Sequence, residues 1–254
     1  ILRYAAGRSR PDETALAARA AIASGRIPDF VTWRNLAGRF GNDNTVADAL
    51  AIAVRFPGTD FPVDDVRNIL AAMTPGPENT VSLLYLNDAD ALETALRRTD
   101  FADKVAGNLW RAPAHVTAEL AAEWYASDPV NTLYSLYRLQ LKDIVQAADL
   151  AAMPLEQRVY GCAICSEPDL LLKDEDWRVR IAALKAAPTR LNAQELLEDP
   201  NVLVRAEALR VFGREDGGLW RLNLEELSPM QAEWLFRERP GEPQIMQLFE
   251  KGGM

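Results

Sequence analysis

The amino-acid sequence predicts an all-α protein, a solenoid of short helix pairs stacked side by side, running as one continuous array over residues 1–254. Three observations lead there. A segment repeats at an offset of 25 residues, and Pro and Gly recur at intervals of about one repeat. No stretch shows the period-two alternation of a strand or an Asn-Gly or Asp-Gly hairpin turn.

The repeat is clearest between residues 171–184 and residues 196–209. Leu171-Leu172, Asp174, Val179-Arg180 and Ala183-Leu184 coincide with Leu196-Leu197, Asp199, Val204-Arg205 and Ala208-Leu209. Each copy reads as helix, tight turn, helix. Leu196 and Leu197 close the first helix. Asp199 precedes Pro200, where a carboxylate caps the following helix and Pro is tolerated in the first turn. Val204, Ala208 and Leu209 form an apolar stripe at helical spacing. Arg205 stands where it reaches the Asp of a neighbouring copy, which predicts a structural ladder in preference to a catalytic pair.

Weaker copies precede these. Asn44-Thr45-Val46, Asn79-Thr80-Val81 and Asn131-Thr132-Leu133 read as second-helix starts with Asn as the N-cap, and Asp103-Lys104-Val105 and Gln157-Arg158-Val159 fill the gaps. The aliphatic landmarks then stand at 46, 81, 105, 133, 159, 179 and 204. First helices are expected over 31–36, 63–69, 116–120 and 191–196. Gly25 and Pro28, Pro57 and Gly58, Pro75 to Pro77, Pro113, Pro168, Pro188 and Gly213 separate the helices. From Leu219 the pattern weakens, with amphipathic helices still expected over 229–238 and 243–250 as atypical capping elements.

An Asp followed by Val-Arg and an Ala-Leu pair, in units near 25 residues, resembles the leucine-rich repeat variant and HEAT-like repeat families. The close likeness spans residues 171–213, about a sixth of the chain. The resemblance implies a curved, right-handed α-solenoid that serves as a binding scaffold. Its pattern names structural positions, so it transfers no catalytic residue.

The chain is 48% hydrophobic and 26% charged, enough to build a core, and no run of 18 apolar residues marks a membrane span. Ile1-Leu2-Arg3-Tyr4 shows no signal-peptide pattern, and the absence of an initiating Met leaves upstream residues open. Two cysteines do not make a disulfide framework, and the expected compartment is the cytoplasm. Net charge is −9; residues 1–60 hold 8 basic and 6 acidic side chains, residues 61–254 hold 20 and 31. That balance opposes a phosphate-neutralising surface. The expected function is therefore a non-enzymatic scaffold, or a subunit of a larger assembly, whose partner is another protein. The alternative is a HEAT-like DNA-binding protein or alkylpurine DNA glycosylase-like enzyme, which requires a local basic groove with aromatic and acidic residues.

Cys162 and Cys165 form the one Cys-x-x-Cys pair. Aligning Val159 with Val179 sets them level with Ala182 and Lys185, and with Glu207 and Arg210 in the next copy, so both thiols are expected inside a helix and accessible. A redox pair needs a lowered thiol pKa, and a structural zinc needs four ligands where only His115 remains, so small packing residues are the expected role. His115 is the sole histidine, expected at the start of a helix. Asp64-Asp65, Asp174-Glu175-Asp176 and Glu225-Glu226 fit helix starts and solvated faces. No Gly-rich phosphate cradle occurs, and no cofactor or metal is expected. Trp and Tyr are spread over most copies. Trp124, Tyr134, Tyr137 and Arg138 form the candidate protein-binding patch, since aromatic residues and Arg dominate interface hot spots.

Overall fold

The computed structural model describes residues 16–17, 20–27, 29–40, 50–56, 60–211 and 227–238. Among them the chain is mostly helical and contains no strand; one parallel bridge joins Val145 to Cys165. Asn44, Gly213, Leu219, Glu225-Glu226 and the segment 243–250 lie outside the described residues. No described helix is long and apolar enough to cross a membrane. The chain divides into two compact units, Ile1–Leu141 and Lys142–Met254.

In the first unit, α1 (Phe30–Phe40) is followed by a helical segment at 50–54, then α2 (Val63–Ala72), α3 (Pro77–Tyr85), α4 (Ala89–Leu96), α5 (Ala102–Ala106), α6 (Ala118–Ser127) and α7 (Pro129–Leu139). Helices α2 and α3, α4 and α5, and α6 and α7 pack as pairs, and the second members α3, α5 and α7 pack in succession. Hydroxyl groups fasten that succession. Ser82 Oγ donates to the Ala51 carbonyl at 2.7 Å, and Ser135 Oγ to the Ala106 carbonyl at 2.6 Å. Serine is small enough for two backbones to approach, and its O–H satisfies a carbonyl that burial would otherwise strand. Around these bonds Trp33, Leu50, Leu70, Leu83, Leu84 and Leu109 are fully buried.

The expected Asn N-caps are corrected. Asn79 and Asn131 are each the third residue of their helix, because Pro77 and Pro129 occupy the first position, where no N–H is needed. Asn79 Oδ1 instead reaches back to the Gly76 N–H at 3.0 Å. At α7 the cap is Asp128, whose Oδ1 accepts from the Asn131 N–H at 3.2 Å.

The second unit contains α8 (Ala147–Ala151), α9 (Leu155–Gly161), 3-10 turns at Cys162–Ile164 and Pro168–Lys173, α10 (Trp177–Ala186), α11 (Arg190–Glu195), α12 (Val202–Val211) and α13 (Pro229–Glu238). Its second helices α9, α10 and α12 also pack in succession. The two best-matched copies share one turn. Asp174 Oδ1 accepts from the Asp176 N–H and Asp176 Oδ1 from the Arg178 N–H, both at 2.9 Å. In the next copy Asp199 Oδ1 accepts from the Asn201 N–H at 2.7 Å and Asn201 Oδ1 from the Leu203 N–H at 2.9 Å. Asp199 therefore shapes the turn, and Asn201 one step later takes the capping role expected of it.

A ladder is present on Arg180 and Arg158, while the described bonds of Arg205, where it was expected, go to the Asp199 and Pro200 carbonyls of its own turn. Arg180 Nε and Nη2 donate to the two oxygens of Asp199 at 2.7 and 2.9 Å, and Arg158 Nη1 to Asp174 Oδ2 at 3.1 Å. Each arginine thus grips the Asp of the following copy. Arg180 also holds its own turn through the Asp174 carbonyl at 2.7 Å, as Arg205 does through the Asp199 carbonyl at 2.6 Å.

Candidate functional site

A row of alternating arginines and aromatic rings occupies the first unit, drawn from the end of the 50–54 segment, the end of α3, the 3-10 turn after α5, and α7. Leu109, fully buried, anchors the short 3-10 turn Leu109–Arg111, which splays Trp110 and Arg111 away from it. On α7 the buried face carries Leu133 and Leu136, which leaves Tyr134 and Arg138, four residues apart, on the outer face. Tyr85 is the last residue of α3, and Arg55 follows the segment at 50–54.

These side chains interlock. The Arg55 guanidinium carbon lies 5.6 Å from the Tyr85 ring centre, and that of Arg111 lies 4.2 Å from the same ring and 3.5 Å from the Trp110 ring. Arg138 lies 4.1 Å from Trp110 and donates to Tyr134 Oη at 3.1 Å. Trp110 meets Tyr134 edge-on at 6.2 Å. Each guanidinium is attracted to the electron-rich ring face, worth about 0.5–2 kcal/mol per contact depending on desolvation.

Charge compensation differs along the row. Arg55 has a carboxylate, Glu78, at 2.7 Å, and also donates to Ser82 Oγ at 3.0 Å. Among the described residues Arg111 and Arg138 have no carboxylate within ion-pair distance, and Arg111 Nε and Trp110 Nε1 are buried without a hydrogen-bond partner. Burial lowers the Arg111 pKa from its usual value; Tyr85 opposes this, and Arg138 and Arg55 lower it further by repulsion. The result is a crowded cationic strip on an acidic chain. Such a strip has donors of the kind that suit oxyanions, because a guanidinium stacked on a ring still offers N–H groups in its own plane.

The sequence-derived patch is only partly assembled here. Tyr134, 39% exposed, and Arg138 belong to the row. Tyr137 is half-buried on the same helix, and Trp124 on α6 packs against the hydrophobic core. Tyr85, Trp110, Arg111 and Arg55 were missed as a group. They fall at different positions relative to their helices, so no sequence repeat groups them.

The structure buries both cysteines, which overturns their expected accessibility. Helix α9 ends at Gly161, Cys162 opens a 3-10 turn, and Cys165 is extended, so the register that equated Cys165 with Lys185 breaks. Burial, with smaller contributions from Cys165 and Asp174, pushes the Cys162 thiol up to about 12; burial likewise raises Cys165. Cys162 Sγ donates to the Arg158 carbonyl at 3.1 Å, as a small packing residue does. Among the described residues no three His, Cys, Asp or Glu side chains gather as a metal-binding group. His115 Nε2 donates to the Asn87 carbonyl at 2.8 Å and ties the segment before α6 to the one before α4. In the second unit an open cleft of about 320 Å³ lies beside the ladder, lined by Glu175, Trp177, Arg205 and Gln231.

Comparison with family models, with curated proteins and with solved structures yields no match to this chain.

Proposed function

We propose that this chain is a non-enzymatic helical-repeat scaffold of the leucine-rich-repeat-variant or HEAT-like kind, and that it binds another protein through the arginine–aromatic row. One observation carries the reading: two guanidiniums with no carboxylate among the described residues are held on the Trp110 ring, beside an exposed Tyr134. Regularly packed second helices support the repeat reading, since a solenoid gains its binding surface by repeating one position from copy to copy. The reading places the chain in the cytoplasm, where its unbridged thiols persist.

A native pull-down with this chain as bait, with and without nuclease and over a salt series, tests the reading. The expected result is a stoichiometric protein partner that survives nuclease and is lost from an Arg111→Glu/Arg138→Glu double variant of unchanged helicity. Recovery of nucleic acid instead, released steeply as salt rises, would replace it with the DNA-binding alternative.

A further inference from the structure

We infer that the partner presents an acidic segment to this row, its Asp or Glu carboxylates completing Arg111 and Arg138 as Glu78 completes Arg55. The inference rests on the protein-binding reading above and names the chemistry of the partner.

Arg55 supplies the template inside the molecule. It lies over Tyr85 and simultaneously receives the Glu78 carboxylate at 2.7 Å. Arg111 and Arg138 have the same kind of ring seat, at 3.5 and 4.1 Å from Trp110, but no carboxylate among the described residues. An arginine on a ring keeps its planar fork of N–H donors for an acceptor beside the ring, and a carboxylate fits that fork with two parallel bonds. Repulsion among three nearby guanidiniums is relieved when anions enter, so occupancy is favoured twice over. Arg138 is exposed and Tyr134 is 39% exposed, which leaves an approach from solvent.

The same geometry separates a peptide from a nucleic acid. Sequence-tolerant binding of single strands depends on aromatic faces open to stack bases. Here Tyr85 and Trp110 already have guanidiniums over them, so the row offers cationic edges in place of free π faces.

Titration of the full chain, followed by tryptophan fluorescence, with an alternating Glu–Asp peptide of about twelve residues tests this. The Gln–Asn counterpart and an oligothymidine of similar length serve as competing probes. The expected result is saturable binding of the acidic peptide, weakened roughly tenfold by Arg111→Gln or Arg138→Gln and unchanged by Arg190→Gln on α11. The Arg111→Glu/Arg138→Glu variant should exchange preference and take a Lys-rich peptide, with thermal midpoints confirming that each variant is folded. Indifference of acidic-peptide binding to both arginines, or tighter binding of oligothymidine, overturns the inference. If the Gln variants still capture the pulled-down partner in full, the acidic-segment inference falls and the scaffold reading stands. If the acidic peptide binds through Arg111 but no protein partner is ever recovered, the scaffold reading falls and the oxyanion site stands.

Discussion

Arginines line both units, yet they meet opposite surroundings. In the second unit Arg180 is held by both oxygens of Asp199, with side-chain exposures of 12% and 5%, and Arg158 by Asp174 at 3.1 Å. In the first unit Arg111 and Arg138 rest on Trp110 and have no carboxylate among the described residues. A buried cation paired with a carboxylate and with backbone carbonyls has its hydrogen-bonding capacity used within the molecule, so its role is to hold one copy to the next. A cation held by ring faces, with at most the Tyr134 hydroxyl accepting from Arg138, retains further donors. Residue type is alike in the two regions; the difference lies in what surrounds each guanidinium.

Substitutions turn that contrast into measurements. The largest effect is expected at Asp199. Asp199→Ala removes both carboxylate bonds to Arg180 and the bond from the Asn201 N–H, and leaves a nearly buried cation unpaired. A loss of about 3–5 kcal/mol is expected in urea unfolding. A loss below about 1 kcal/mol would mean that the ladder does not hold the second unit together. An intermediate effect is expected from Arg178→Gln, read against pH. Hydrogen bonding by Arg178 holds the Asp176 carboxyl below its usual range, although burial pushes the other way. A depressed folded pKa contributes stability above the ordinary carboxylate value near ~3.9 and loses it as pH falls through the depressed value. The variant should therefore unfold more easily than the wild type by about 1 kcal/mol at neutral pH, and the two curves should converge in strong acid. A pH-independent gap would break the assignment. The smallest effect is expected at Arg138. Arg138→Gln should change unfolding free energy by about 0.5 kcal/mol or less while weakening partner capture. A stability loss as large as that of Asp199→Ala would make the row another structural ladder and end the contrast.

Much of the fold was legible because helices are encoded locally. The landmarks at 81, 105, 133, 159, 179 and 204 all fall in second helices, since an apolar stripe follows from spacing of a few residues. The Arg–Asp ladder was legible in part: Arg180 and Arg205 follow Val179 and Val204 in the matched copies, whereas Arg158 precedes Val159 and falls outside that register. The errors fell where neighbours intervene. Asn79 and Asn131 looked like caps until Pro at the first position moved the helix start forward. Cys165 looked like a mid-helix residue until Gly161 ended α9 and the chain turned into the bridge with Val145. Trp124 had the residue type of a hot spot, but packing drew it against the core.

By itself the sequence determined that the chain is all-α, and that Asp and Arg recur in register in the copies at 171–184 and 196–209. Only tertiary structure decided which of the described arginines meet a carboxylate and which rest on aromatic rings. Arg55, Tyr85, Trp110 and Arg138 span 83 residues of chain, and their ring contacts exist because successive second helices pack at close range. Helical periodicity is set by the backbone within a few residues, whereas the counter-charge of a guanidinium is set by whatever the stack brings beside it.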